Sequence, residues 1–309
     1  MNTKVTGYLL AVVAAATYGM NPVFAIPLYE EGMNPDSVLL FRYLLAIPLL
    51  GAMLRMRGRD FKISGRETAT LVVMGFLVAL SSLTLFVSYE YMNAGIASTL
   101  LFVYPIMVAV IMAVMFRERM SAVTFAGMAL ALAGIGVLYK NPSGETLSLV
   151  GTALVGLSSL SYAIYIVGVN HTCLRSVATL KVTFYVLLFG VLLFAGRIVT
   201  GTELTLPAVW YHWLNLLGLA VFPTAISFLC TTKAIQYIGP TPTAILGALE
   251  PVTAIILGVT VLHQPVSGRD WAGIAMIIVA VTFVIVGSKI SVPLTRLRRL
   301  FPRIGRHKK

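Results

Sequence analysis

Two hexapeptides, Leu100-Leu101-Phe102-Val103-Tyr104-Pro105 and Leu246-Gly247-Ala248-Leu249-Glu250-Pro251, lie 146 residues apart and place a leucine and a proline at the same steps. The same ungapped shift aligns Leu71 with Leu217, Ser81 with Ser227, Tyr91 with Tyr237, Ser121 with Ser267, Gly127 with Gly273 and Ala129 with Ala275. A shift of 144 pairs Gly7 with Gly151, Leu10 with Leu154 and Tyr18 with Tyr162. A constant shift that carries prolines, glycines and the edges of apolar runs together marks an internal duplication.

The duplicated unit belongs in a bilayer. Of 309 residues, 58% are hydrophobic and 11% charged, with a mean hydropathy of +0.91, whereas soluble domains carry about 25% charged residues. Apolar runs of about the 20 residues that one crossing needs fall near 5–27, 35–54, 68–91, 95–116, 122–139, 147–170, 179–199, 210–232, 241–262 and 270–287. Turn chemistry separates them, as in Asn34-Pro35-Asp36, Asn93-Ala94-Gly95, Lys140-Asn141-Pro142-Ser143-Gly144 and Gly239-Pro240-Thr241-Pro242. The first run is too long for the apolar region of a signal peptide. Cys173 and Cys230 have no metal-ligand spacing and are expected as free thiols.

The pattern predicts an all-α polytopic membrane protein of ten transmembrane helices. Five spans per copy is an odd number, so the second copy begins on the opposite face and the copies form inverted repeats. The expected division is residues 1–145 for the first five-helix repeat, 146–288 for the second and 289–309 for a basic tail. With both termini cytoplasmic, 19 of the 23 Lys and Arg fall on the cytoplasmic side, where basic residues are retained. The outer side then holds Lys140, Arg197 and Arg269, and Arg42 lies within the second span. The net charge of +12 owes eight basic residues and no acids to the tail. Such a segment suits anionic lipid headgroups, and the charge needs no nucleic-acid partner.

Duplication of this inverted kind suits secondary transporters, whose substrate site lies between the repeats near the midplane. The residues also carry a resemblance. Tyr18-Gly19-Met20-Asn21, Phe41-Arg42-Tyr43, the Pro105 span ending in Phe116-Arg117-Glu118-Arg119-Met120-Ser121, and Leu249-Glu250-Pro251-Val252 are similar, in content and order, to the EamA branch of the drug/metabolite transporter superfamily. The resemblance covers residues 5–288. It implies a central cavity lined mainly by spans 1, 3, 4, 6, 8 and 9, and export of small metabolites or drugs across the bacterial inner membrane. One departure is visible: the position matching Glu118 is Gln264. That argues against an essential pair of carboxylates and favours a structural role for Glu118.

Glu250 is the acid nearest the midplane, about 13 to 18 Å from either surface at the helical rise. A carboxylate there is costly unless protonated, paired or wetted. It suits proton or cation handling; the alternative is that it bonds a carbonyl freed by a kink at Pro251. Arg42, inside the second span, either meets a substrate carboxylate, pairs with Glu90, or snorkels to the outer surface. In the resembling family an arginine there looks like a feature of the fold.

Hydroxyls recur at helical spacing: Ser81, Thr84 and Ser88; Ser158, Ser161 and Tyr165; Thr224, Ser227 and Thr231; Thr243 with Gly247 and Glu250. These faces are read as a polar pathway, against the alternative of bonds between neighbouring helices. Tyr18, Asn21, Tyr89, Tyr104 and Tyr162 are expected to add aromatic walls and hydrogen-bonding tips, against the alternative of interfacial anchoring for tyrosines at span ends. Gly127, Ala131, Gly134, Gly273 and Ala280 are read as close helix packing. No HExxH, GxSxG, P-loop or dinucleotide fingerprint occurs. No cofactor, metal or catalytic residue is therefore expected. The sequence favours an exporter of a small organic solute with possible proton coupling; a passive channel and an intramembrane enzyme are the alternatives.

Overall fold

Lipid offers the backbone no hydrogen-bonding partner, so an apolar chain in a membrane must satisfy its own N–H and C=O groups, and helices do this locally. A computed structural model describes residues 3–88, 91, 100–101, 103–117, 122–138, 148–261 and 268–287. Among the described residues the regular structure is helical, with no strand. The helices are α1 (Thr3–Tyr18), α2 (Asn21–Glu30), α3 (Pro35–Met56), α4 (Gly65–Ser88), α5 (Tyr104–Phe116), α6 (Ala122–Leu138), α7 (Leu149–His171), α8 (Thr179–Val199), α9 (His212–Leu219), α10 (Ser227–Ile238), α11 (Pro240–Leu246), α12 (Leu249–Thr260) and α13 (Gly268–Gly287).

Among the described residues six stretches are long and apolar enough to cross a membrane: Thr3–Glu30, Pro35–Met56, Gly65–Ser88, Leu149–His171, Thr179–Val199 and His212–Ile238. The expected runs near 95–116, 122–139, 241–262 and 270–287 correspond to α5, α6, the α11–α12 pair and α13. Tyr89, Glu90, Glu118, Gln264 and the basic tail from residue 289 onward lie outside the described residues.

Three apolar runs expected to be continuous are broken in the middle. The first turns at Gly19-Met20, and α2 restarts with proline in its first turn, where a missing N–H costs nothing. The eighth opens into a π-helical stretch, Ala220–Ile226, around Pro223, because a proline inside a helix removes one donor and crowds the preceding turn. There the Thr224 hydroxyl donates to the Leu219 carbonyl, five residues back, at 2.7 Å. The ninth breaks at Gly247-Ala248, between α11 and α12. Its entry from α10 passes through Gly239 at φ +89°, a conformation that costs glycine alone nothing.

The two copies interleave. α1 packs on α10, α3 and α4 pack on α8, α4 packs on α7, and α6 packs on α13. Small residues let these helices approach closely. A Cβ on Gly75 of α4 would stand 2.7 Å from the Val186 carbonyl, and one on Gly134 of α6 would stand 3.0 Å from the Gly273 carbonyl. At one end of the bundle Asn34 accepts from the Ser37 N–H at 2.8 Å, capping α3, and its own N–H donates to Thr205 Oγ1 at 3.1 Å. Arg197 holds Asp36 at 2.8 Å beside it. At the other end Lys181 binds Asp60 at 2.5 Å, which holds the Asp60 carboxyl below its ordinary pKa. Both cysteines are free thiols.

Candidate functional site

The central cavity lies among α1, α5, α7, α10, α11 and α12, so both copies contribute walls. Ala11, Ala14 and Ala15 of α1 form one side. Tyr104, Tyr162, Ile166, Thr231, Thr243, Gly247 and Glu250 form the rest. The void has room for about one water, while a drug-sized ligand needs on the order of 300 Å³ or more. The void as it stands is too small for such a ligand.

Glu250 occupies the first turn of α12 because the chain breaks just before it, and its backbone N–H donates to the Gly247 carbonyl at 2.8 Å. Among the described residues, no side chain makes a hydrogen bond or ion pair with its carboxyl group. It is therefore a polar group facing a small void, and among the described residues the alternative reading, a bond to a kink carbonyl, is not seen. The break precedes Pro251 instead of following from it, since Pro251 sits in the opening turn of α12, where its missing N–H is not needed.

Tyr104 and Tyr162 meet edge to face with centroids 5.0 Å apart, and Tyr162 stacks on Tyr165 at 6.0 Å. The Tyr104 hydroxyl donates to the Ala244 carbonyl at 3.1 Å. It occupies the space a Cβ at Gly247 would take. This contact joins the two places aligned by the 146-residue shift: α5 starts at Tyr104-Pro105, and α12 starts at Leu249 with Glu250-Pro251 next. Thr243 turns its hydroxyl back to Gly239 O at 2.7 Å. Thr231, 8% exposed, presents its side chain to the void.

Arg42 is 3% exposed and lies beside this cavity without lining it. Its Nε donates to Thr224 Oγ1 at 2.5 Å, Nη1 to Asn21 Oδ1 at 3.2 Å and Nη2 to the Pro223 carbonyl at 3.2 Å. Its guanidinium carbon stands 5.7 Å from the centroid of the Tyr18 ring. A buried guanidinium needs several acceptors, and the proline-widened turn supplies two of them. Arg42 is thus neither at the surface nor aimed into the void.

Of the residues singled out in the sequence, Glu250, Tyr104, Tyr162, Thr243 and Gly247 meet at the cavity. Tyr18 and Asn21 gather around Arg42. Thr231 also lines the cavity, whereas Ser81, Ser158, Thr84, Ser88, Ser227 and Tyr165 are engaged elsewhere. Ser81 and Ser158 bond each other at 3.1 Å, and Ser158 also donates to the Ser81 carbonyl at 2.7 Å, joining α4 to α7. Thr84 and Ser88 donate to their own helix, to Leu80 O at 2.8 Å and Leu85 O at 2.6 Å. Ser227 donates to Ala14 O at 3.0 Å, and Tyr165 pairs with Thr232 at 3.3 Å. A hydroxyl buried between helices is satisfied by a neighbouring carbonyl or hydroxyl, and Ser81 of span 3 finds that partner on α7 and not at the cavity. The face of Ala11, Ala14 and Ala15 escaped notice in the sequence. Its signal is small residues at helical spacing beside a bulky aromatic wall.

The sequence pattern described as the EamA-like transporter family matches this chain twice, over residues 5–140 and 149–286. The chain belongs to the EamA-like transporter family. Relatives within reach of this EamA protein carry little functional detail in their names. It is 24% identical over 296 residues to the uncharacterized inner membrane transporter YicL of Salmonella typhimurium, covering 94% of this chain and 98% of YicL. It is 27% identical to an uncharacterized transporter of Archaeoglobus fulgidus, covering 89% and 94%, and 24% identical to the uncharacterized transporter YcbK of Bacillus subtilis, covering 84% and 86%. A protein known by crystal structure shares the fold with a TM-score of 0.77 at 18% identity, over 93% of this chain and 97% of that one. This EamA protein is a multi-pass membrane transporter.

Proposed function

We propose that the protein is a secondary exporter of a small organic solute in the bacterial inner membrane, working by alternating access with the cavity around Glu250 as its substrate site. The observation that carries this reading is a carboxyl group with no side-chain partner among the described residues, facing a small void whose walls come from both copies. A site of that kind, at the meeting of two repeats, is where rocking of one half against the other exposes a ligand first to one side and then to the other. In this reading the chain has ten membrane helices in two inverted sets of five, residues 1–145 and 146–288, with both termini and the tail from 289 to 309 in the cytoplasm. The basic asymmetry of the loops supports that orientation, and the tail meets anionic lipid. The inner-membrane placement follows the name of the YicL relative.

Glu250 is the titratable group of transport, releasing a proton when the cavity opens to one side and regaining it from the other. Among the described residues the cavity wall has one acid and no lysine or arginine, which disfavours phosphorylated sugars, since they demand clustered cations. Neutral, zwitterionic or cationic solutes fit better. The test has two stages. Metabolite profiles of medium from overexpressing and deletion strains identify the solute, and its uptake into inverted vesicles is then measured with and without a pH gradient. We expect saturable uptake with counterflow, and we expect Glu250→Gln to retain exchange but lose gradient-driven accumulation. Non-saturating flux would instead make the protein a channel, and full gradient-driven accumulation by Glu250→Gln would remove the carboxyl from coupling.

A further inference from the structure

The connection between α3 and α4 is a short basic loop with a fixed shape. It leaves α3 through Gly58 at φ +61° and enters α4 at Ser64. There Glu67 Oε2 accepts from the Ser64 N–H at 2.6 Å, and Ser64 Oγ accepts from the Glu67 N–H at 3.3 Å, a reciprocal cap. The first turns of α8 hold the middle of the loop. The Lys181 ammonium binds Asp60 and donates to the Lys62 carbonyl at 2.9 Å, and the Tyr185 hydroxyl donates to the Phe61 carbonyl at 2.5 Å. The Phe61 ring meets Phe184 edge on, with centroids 5.5 Å apart. Each acid here is thus already engaged, Asp60 by Lys181 and Glu67 by the cap. The cations are placed differently: Arg55, Arg57, Arg59, Lys62 and Arg66 are all exposed, as is Met56, at 86%.

The depth of this loop follows from its neighbours. α3 ends at Met56, α4 starts at Gly65 and α8 starts at Thr179, and all three are long and apolar enough to cross a membrane. Residues 57–64, running out and back, reach about 13 Å beyond the helix ends at full extension, and Lys181 and Tyr185 tie them down to α8. The headgroup layer on each side of a bilayer is about 5–8 Å deep. We propose that this loop is a docking platform for anionic phospholipid, with Arg55, Arg57, Arg59, Lys62 and Arg66 meeting the headgroups, Met56 reaching the acyl boundary, and Lys181 keeping the platform cationic by taking Asp60 out of competition. Clustered cations suit phosphate groups, and each one near an anionic surface favours association about fivefold. Lys181 acts through Asp60. The platform concerns the lipid around the protein and goes beyond the export reading.

The test places a bimane fluorophore at Met56→Cys in full-length protein with Cys173 and Cys230 replaced by serine, in phosphatidylcholine nanodiscs. A minor fraction of the lipid carries quenching bromines, either on phosphatidylglycerol or on phosphatidylcholine, and the ratio of the two quenching strengths reports local enrichment. The same probe at Val199→Cys, 87% exposed at the opposite end of α8, is the control, since Arg197 near it is already bound to Asp36. We expect the ratio at Met56→Cys to exceed the control at least about twofold at physiological ionic strength. It should fall to the control value near 1 M salt, where the screening length is about 3 Å. Arg57→Gln, Arg59→Gln and Lys62→Gln together should at least halve the excess with the basic tail still in place. Lys181→Met should lower it as well, because the freed Asp60 carboxylate then neutralises its neighbours, and adding Asp60→Asn should restore it. The comparison of sites and the salt titration leave the loop cations unaltered, so misfolding of a charge variant leaves the test standing. A ratio equal to the control would overturn the platform, as would a ratio unmoved by salt. An excess that survives the loss of three cations would assign the enrichment to the tail and overturn it equally. Failure of Asp60→Asn to restore the Lys181→Met ratio would refute the part given to Lys181. None of these readouts involves a transported solute, so the export reading stands or falls separately.

Discussion

Replacing Gly247 by alanine tests the contact at the meeting point of the two copies. Gly247 has φ −55° and ψ −24°, which alanine adopts freely, so backbone strain plays no part and the cost comes from space. A Cβ there overlaps the Tyr104 hydroxyl and stands 3.0 Å from the Ala244 carbonyl. Tyr104 is 2% exposed and wedged against Tyr162, so it cannot swing aside cheaply. Overpacking of this kind costs about 1–3 kcal/mol. Tyr104→Phe alone removes the bond to Ala244 O, at about 0.6 kcal/mol for a hydrogen bond between membrane helices. In the double variant the overlapping oxygen is gone and the nearest ring atom, Cζ, is 3.2 Å away. The cycle should therefore show a favourable coupling of about 1–2 kcal/mol, with the double variant at least as stable as Gly247→Ala alone. Reversible unfolding in mixed micelles by increasing SDS measures all four proteins. Additive effects, with coupling below about 0.3 kcal/mol, would refute the idea that Tyr104 fills the missing side chain of Gly247.

Arg42→Met should destabilise the fold by about 2–4 kcal/mol, because it strands Thr224, Asn21 and the Pro223 carbonyl; the same micelle titration reads it. Ser158→Ala should cost about 0.6–1.7 kcal/mol by unclasping α4 from α7 and should leave solute affinity unchanged in a vesicle binding assay. Gly134→Leu should prevent α6 from seating on α13 and lower the yield of monodisperse protein in size-exclusion chromatography, while Gly136→Leu, with open space at its Cβ, should not. For orientation, cysteines at Asn141 and Thr202 in a background without Cys173 and Cys230 should react with an impermeant thiol reagent on intact cells; reaction only after permeabilisation would reverse the assignment.

Helix existence was legible because apolar length is a composition signal, and α3, α4, α7 and α8 fall where the hydropathy places them. The breaks were not. Gly19-Met20, Ala220–Ile226 and Gly247-Ala248 lie inside apolar runs, and hydropathy is blind to whether a run is one helix or two. The local signals were Pro22 and Pro223, whose missing N–H groups change the backbone without changing the polarity. The polar faces show a second limit. Helical spacing puts Ser81, Thr84 and Ser88 on one side of α4, but it does not say which neighbour that side meets, and α7 takes the bond that the void was expected to receive. Glu250 and the two tyrosines were legible for the opposite reason: a lone acid and bulky rings at midspan have few structural uses. The role of Arg42 depended on a turn that only the fold creates.

The bond from Ser227 to the Ala14 carbonyl spans 213 residues of sequence, and α1 finds its main partner in α10. Ribosomes add roughly 5–20 residues per second, so α1 waits about 10–40 s after its synthesis before its partner exists. During that interval the small-residue face of Ala11, Ala14 and Ala15 has only lipid, an insertion factor or a makeshift neighbour against it. The duplicated copies are units of sequence, but the first is not a unit of assembly. Nascent chains stalled before residue 227 should stay open to proteases and to other hydrophobic partners, and a ribosomal pause ahead of α10 would lengthen the most vulnerable moment in the life of the protein.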